Sequence, residues 1–178
     1  MVCPRCISAV DNLLNDMHEK PVYVKLGEVL LARPLSDDQL NQLAINLHNV
    51  GFELLDDNRM QQIEKIKSIV IDHIHYLDDH KFIFSEILSK ELHKEYSQLS
   101  RLFSETEGIT IEQYIIHQKI EKTKELLAYN EMNLSEIAFK LGYSSVAHLS
   151  GQFKKVTGLT PSQFKAQGIH LRKALDDV

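Results

Sequence analysis

The chain has 178 residues and a net charge of −5, with 43% hydrophobic and 25% charged residues. These globular proportions exclude wholesale disorder and fibrous repeats. The length fits one ordinary domain or two small ones, and no run approaches the ~18 apolar residues of a membrane span.

The start, Met1-Val2-Cys3-Pro4-Arg5-Cys6, lacks the apolar core of a secretory signal. Both cysteines sit in this one CxxC, which excludes a disulfide scaffold and points to a reducing, cytoplasmic setting. Residues 7–17 read as a helix, and 22–25 and 28–31 as two β-prone runs around Gly27. Ser36, followed by Asp37 and Asp38, is the N-cap of a second helix. That helix carries Leu40, Leu43, Ile45, Leu47 and Val50 and stops at Gly51, a suitable residue for a left-handed turn. Residues 52–55 read as a strand, so the order is α-β-β-α-β.

After Asn58 the β signal vanishes. Ile63, Ile66, Val70, Ile74 and Leu77 lie at i, i+3, i+7, i+11 and i+14, one apolar stripe of a long helix that joins the two halves. Further helices are predicted at 85–92, 95–107, 111–129, 134–141, 145–156 and 161–166. Gly108, Gly142 and Gly158 separate some of them, and Thr160-Pro161 forms an N-cap and N1 pair. The expected organisation is 1–57, a connecting helix 58–81, a helical domain 82–168 and a tail 169–178 whose end frays.

Charge is unevenly spread. Residues 137–175 hold Lys140, Lys154, Lys155, Lys165, Arg172 and Lys173 and no acid. A locally basic segment in an acidic chain can be an electrostatic footprint for nucleic acid, although charge alone leaves a solvated face equally open.

Within it, Ile137, Ala138 and Leu141 face inward on a short helix, and Gly142 can take positive φ at the turn. Leu149, Phe153 and Val156 form the inner face of the next helix, leaving Ala147, His148, Gly151, Lys154 and Lys155 outside. This is a helix-turn-helix pattern, whose second helix lies in the major groove. A weaker earlier copy has Ile87, Leu88 and Leu92, then Leu99, Leu102 and Phe103, with Ser97, Arg101, Ser104 and Glu105 outside and His93-Lys94 at the turn. The helix between the copies, 111–129, would span about 28 Å. Successive major-groove faces lie about 34 Å apart, so one chain could address both with some bending.

These residues resemble the AraC-type bacterial transcription regulators. The likeness is carried by Leu99-Ser100-Arg101-Leu102-Phe103, Gly108-Ile109-Thr110, Tyr114, Leu126-Leu127, Ser135-Glu136-Ile137-Ala138-Phe139, Gly142-Tyr143-Ser144-Ser145, Phe153-Lys154-Lys155 and Gly158-Leu159-Thr160-Pro161-Ser162, from about Phe82 to Lys165. The resemblance implies an all-α bipartite domain with two helix-turn-helix motifs, double-stranded DNA as partner and no required cofactor. RNA polymerase or another protein is a further partner of such regulators, and no membrane is involved.

It also implies base readout from positions matching Ser97, Ser100 and Arg101, where arginine can bond guanine O6 and N7 together. In the second motif, positions that commonly carry polar readers are Val146, Ala147, His148 and Gly151. His148 and Gln152 are secondary candidates there, and Lys154 and Lys155 are expected on phosphates, which position but do not specify. The second motif therefore reads as an anchor, with shape readout or thymine-methyl contact as its contribution.

Residues 1–57 resemble a heavy-metal-associated domain, an α+β ferredoxin-like fold with a Met-x-Cys-x-x-Cys loop before its first helix. Val24-Lys25-Leu26-Gly27 and Gly51-Phe52-Glu53 fit its later elements. Its first, central strand would precede Met1, so the domain is incomplete and a truncated reading of a longer protein is expected. Cys3 and Cys6 suit Cu(I) or another soft metal, and placement at a helix start beside Arg5 favours the thiolates. Inert thiols in a retained fold, and thiol–disulfide chemistry, stay open.

His73, His75 and His80 surround Asp72, Asp78 and Asp79 without an i, i+4 histidine pair, and read as a solvated helix end before a zinc site. No P-loop, dinucleotide fingerprint, serine elbow or HExxH occurs, so an enzyme is not expected. The resulting expectation is a sequence-specific DNA-binding regulator with a metal- or thiol-responsive amino-terminal domain. The rivals are an interaction module with vestigial DNA affinity, supported by Val146, Ala147 and Gly151, and a thiol–disulfide protein.

Overall fold

The computed structural model describes residues 1–55, 57–77, 83–130, 132–167 and 175, which pack as two units, Met1–Ile69 and Val70–Val178. Asp78, Asp79, His80, Phe82, Arg172, Lys173 and nearly all of the tail lie outside the described residues.

In the first unit α1 (Pro4–Asp16) opens with Pro4 in its first turn, where a missing N–H costs nothing. It ends at His18, left-handed at φ 58, with the His18 and Glu19 amides donating back to Asn15 and Leu14 carbonyls. β1 (Pro21–Lys25) and β2 (Glu28–Leu31) form an antiparallel hairpin in which Lys25 faces Glu28. α2 (Asp37–Asn49) starts from a reciprocal capping box of Ser36 and Gln39. The core is Val10 and Leu14 of α1 against Leu43 and Leu47 of α2, with Val24, Val29, Leu31 and Phe52 packed around it. Glu19 is buried yet satisfied by Arg33 at 3.0 Å and the Gln39 amide at 2.7 Å.

The strand expected over 52–55 is absent; among the described residues the sheet has two strands. Among the described residues the order observed in this unit before α3 is α-β-β-α, without the final strand that the ferredoxin-like expectation required. Phe52 is committed elsewhere: its amide donates to Leu47 O and that of Gly51 to His48 O, a Schellman closure of α2 with Gly51 at φ 81. An extended segment becomes a strand only where an edge meets it, and no described strand lies beside 52–55.

α3 (Asn58–Ile71) buries Ile63, Ile66 and Val70 as its periodicity requires. The stripe then departs from expectation. Residues Asp72–Tyr76 form a π-turn closed by the Leu77 amide on Asp72 O at 2.9 Å. The wider turn brings His75 inward with Ile74, and Leu77 ends 44% exposed.

The second unit continues with α4 (Phe84–Leu92), α5 (Tyr96–Glu107), α6 (Ile111–Tyr129), α7 (Leu134–Lys140), α8 (Val146–Thr157) and α9 (Pro161–Gln167). Capping boxes open α6 (Thr110 with Gln113) and α7 (Asn133 with Glu136), while left-handed Gly108 and Gly158 close α5 and α8. Leu88, Leu99, Phe103, Ile111, Ile120, Ile137, Leu149, Phe153 and Phe164 make its core. Val156, expected inside, is 40% exposed in the last turn of α8.

Candidate nucleic-acid interface

Two helix-turn-helix pairs, α4–α5 and α7–α8, flank α6. The turn of the first pair is made by His93 at φ 52, that of the second by Gly142 at φ 69. A histidine in the left-handed region is strained where a glycine is not, which is why the first turn was faint in the sequence.

The second helices are built alike at a spacing of fifty residues. Leu99 and Phe103 of α5 correspond to Leu149 and Phe153 of α8, all fully buried, and Gly108 corresponds to Gly158. Beyond each glycine the match persists: Thr110 accepts from the Gln113 amide as Thr160 does from that of Gln163. Phe103 packs on Tyr114 at 5.6 Å between ring centroids, and Phe153 on Phe164 at 5.5 Å. Sequence reading registered the duplication but not this register, whose Leu-x3-Phe-x4-Gly-x-Thr signal was visible in it.

On α5, Ser97 and Arg101 are exposed and Ser100 half-buried. The Arg101 side chain is 82% exposed and its Nε donates to Glu105 Oε1 at 2.8 Å, leaving the two terminal nitrogens directed beyond that pair. Ser104 turns back to the Ser100 carbonyl at 2.8 Å and presents little outward. Tyr96 donates to Glu112, tying the start of α5 to the start of α6. That bond, against a smaller effect of burial, holds the Glu112 carboxyl below its usual range, while burial first and the bond second push the Tyr96 phenol up.

On α8, Ala147, His148, Gly151, Lys154 and Lys155 are exposed and Gln152 is half-buried. The Ser145 hydroxyl caps the helix by accepting from the His148 amide at 3.1 Å. The His148 ring is held by Ser144 Oγ at 3.1 Å from Nδ1 and by the edge of Tyr143 at 5.4 Å between centroids. Over the Tyr143 ring sits Lys119 of α6, its Nζ 5.3 Å from the ring centre and its pKa depressed by burial. Sequence reading missed this Lys119–Tyr143–His148 stack. Lys165, counted there as part of the basic footprint, reaches Asn130 Oδ1.

α6 itself buries Gln118, Glu121, Thr123 and Lys124. Glu121 pairs with Lys124, and Gln118 meets His75 Nε2 at 3.0 Å and the Tyr114 hydroxyl at 3.1 Å. Lys122 Nζ donates to the His75 carbonyl at 3.3 Å. His75 is therefore a buried bracket on α6 and not part of a solvated helix end.

Far along the chain, Cys3 and Cys6 face each other at 3.5 Å between sulfurs. Burial pushes the Cys6 thiol up, but hydrogen bonds from Val2 and Cys3 win and lower it. Among the described residues no group of three or more Cys, His, Asp or Glu converges.

Residues 88–167 match the family described as a helix-turn-helix domain, and the fold about α6 is similar to that of a transcriptional regulator with an AraC-type DNA-binding domain from Chromobacterium violaceum, with a TM-score of 0.52 at 19% identity over 61% of this chain and 92% of that one. The chain is 29% identical over 107 residues to the probable transcriptional regulator LumQ of Photobacterium leiognathi, covering 59% of this chain and 42% of that protein. To the arabinose operon regulatory protein of Salmonella typhimurium it is 28% identical over 140 residues, 79% of this chain and 48% of that one. Among solved structures, the C-terminal domain of the two-component response regulator yesN from Fusobacterium nucleatum superposes with a TM-score of 0.50 at 30% identity, covering 57% of this chain and 95% of that domain. The chain thus spans less than half the length of these two curated relatives.

Proposed function

We propose that the chain is a sequence-specific regulator of transcription that binds double-stranded DNA in the cytoplasm, reading one side of the duplex with α5 and α8. The observation that carries this is the pair of matched reading helices, each packed against the 19-residue α6 and each with an exposed face. Ser97, Ser100 and Arg101 read bases from α5; His148 and Gln152 contribute from α8; Lys154 and Lys155 hold phosphates. RNA polymerase or another regulatory protein is the further partner such a molecule would need. Selection from a random duplex pool with the purified chain tests the reading: an enriched motif is expected, and recovery of unenriched DNA contradicts it.

A second reading concerns Cys3 and Cys6, favoured by their 3.5 Å separation and the lowered Cys6 thiol. The amino-terminal unit is a diminished heavy-metal-associated domain that takes one Cu(I), or an equivalent soft ion, on two thiolates and alters DNA affinity in response. Metal must displace the thiol protons, so affinity falls with acid. Titration of the reduced chain with Cu(I) should give one equivalent bound, lost in Cys6→Ser. Equal DNA affinity with and without the metal would leave a binder that senses nothing.

A further inference from the structure

We propose that the amino-terminal unit takes an extended segment of a partner protein as a third strand, laid along the free edge of β2. The segment is apolar and carries one basic residue beside Glu53. Every residue involved lies within Met1–Ile69, apart from the DNA-binding helices described above.

The two edges of the hairpin differ. β1 is blunted as solvent-facing edges are: Pro21 lacks an N–H, the pairing is irregular between Pro21 and Tyr23, and Lys25 closes the end. β2, Glu28-Val29-Leu30-Leu31, has none of these devices. Among the described residues its outer side meets no other strand. An open edge of four residues, about 13 Å long, is a template for another chain.

That edge borders a cavity of about 790 Å³. Glu28 and Val29 both line it, although successive strand side chains point to opposite faces. The cavity therefore runs along the edge of β2 and not over one face of the hairpin. Residues 52–55, which are in no helix or strand, line it as well. Among the described residues, Glu53 and Leu54 make no backbone–backbone bond, and the Leu55 carbonyl accepts only from the Gln61 side chain, at 2.7 Å. Leu14, Leu43 and Leu47 add core surface, while Leu40 and Leu54 are exposed apolar lining. An apolar small molecule would cover these side chains and leave the nearby peptide groups dry and unpaired. A strand covers the first and pairs the second.

Charge sets the chemistry of the occupant. Of the ionised side chains in the lining, Lys65 pairs with Glu28 at 2.8 Å, Arg33 with Glu19 at 3.0 Å and Glu64 with Lys67 at 3.3 Å. Glu53 is exposed and meets no cation among the described residues. The complementary segment is neutral along its length, with one lysine or arginine opposite Glu53.

The test uses the full chain and a blocked hexapeptide, Lys-Val-Thr-Val-Thr-Val, with calorimetry to count sites and amide hydrogen exchange to locate them. One peptide per chain is expected, with slowed exchange at 28–31. N-methylation along one edge of the peptide, which leaves every side chain in place, should abolish binding. Glutamate in place of the peptide lysine should weaken binding about threefold, the effect of one exposed ion pair. Glu53→Lys should invert that preference while leaving Tm unchanged. The proposal is overturned if the peptide does not bind, or if protection falls outside 28–31. It is overturned equally if the N-methylated peptide binds as well, which would mark a pocket for apolar small molecules. A free chain that sediments as a dimer with 28–31 already protected would assign the edge to a second copy and overturn it too.

Discussion

Arg101 owes its suitability as a reader to a neighbour. Glu105 accepts from the Nε–H and so restrains the guanidinium while leaving its terminal nitrogens, which can match O6 and N7 of guanine. Among the described residues no carboxylate pairs with Lys154, and an ammonium on a flexible stem serves a phosphate well and a base edge poorly. The two should separate in experiment. Arg101→Ala is expected to cost about 1–3 kcal/mol at a single base position and relax preference there. Lys154→Ala should weaken selected and random duplexes alike. Binding curves on single-base variants of the selected site measure both; equal losses on every sequence for both variants would remove the distinction.

At the scale of elements, the bond between Tyr96 and Glu112 fastens the first reading helix to α6. It is strongest when the carboxyl is charged and the phenol neutral. The Glu112 pKa is depressed, so its contribution is present above the ordinary carboxylate value and lost as pH falls through the lower folded one. The Tyr96 pKa is raised, so its contribution is present below the ordinary phenol value and lost as pH climbs through the higher folded one. Tyr96→Phe should therefore lower Tm at pH 7, and the gap from the parent should close in acid. Thermal melts across pH 3–7, a range chosen to bracket the ordinary Glu value of about 4.3, would show it; superimposable melts at pH 7 would argue the bond contributes nothing.

The helices themselves were legible from local signals: Ser36 and Thr160 announce starts, while Gly51, Gly108 and Gly158 announce stops. The elements that escaped depend on partners distant in sequence. Residues 52–55 lack an edge to pair with, and His75 is buried because Gln118, 43 positions later, meets its ring. The polar groups that α6 buries read as solvent-facing until their neighbours are known. The readers themselves were nameable from the resemblance, but the brace on Arg101 and the stack behind His148 were not.

At the scale of the molecule, an acidic chain must bind an acidic polymer through a small number of cations. In the described part of the acid-free segment these are Lys140, Lys154, Lys155 and Lys165, and the last already reaches Asn130. Neutralising about four phosphates gives a slope near −3.6 for log affinity against log salt. Fluorescence anisotropy from low to moderate salt is the check, and a flat line would mean that cations do not hold the duplex. Among the described residues no helix is long and apolar enough to cross a membrane. The fifty-residue correspondence has a further consequence. Two heads with one backbone but unlike reading groups, set in tandem on one chain, give the bound protein a polarity. A palindromic repressor lands on its site the same way in either direction. A tandem reader bound as proposed would not: reversing the site end for end would reverse which head leads. A regulator of this kind would be sensitive to the orientation of its site relative to a promoter as well as to its distance.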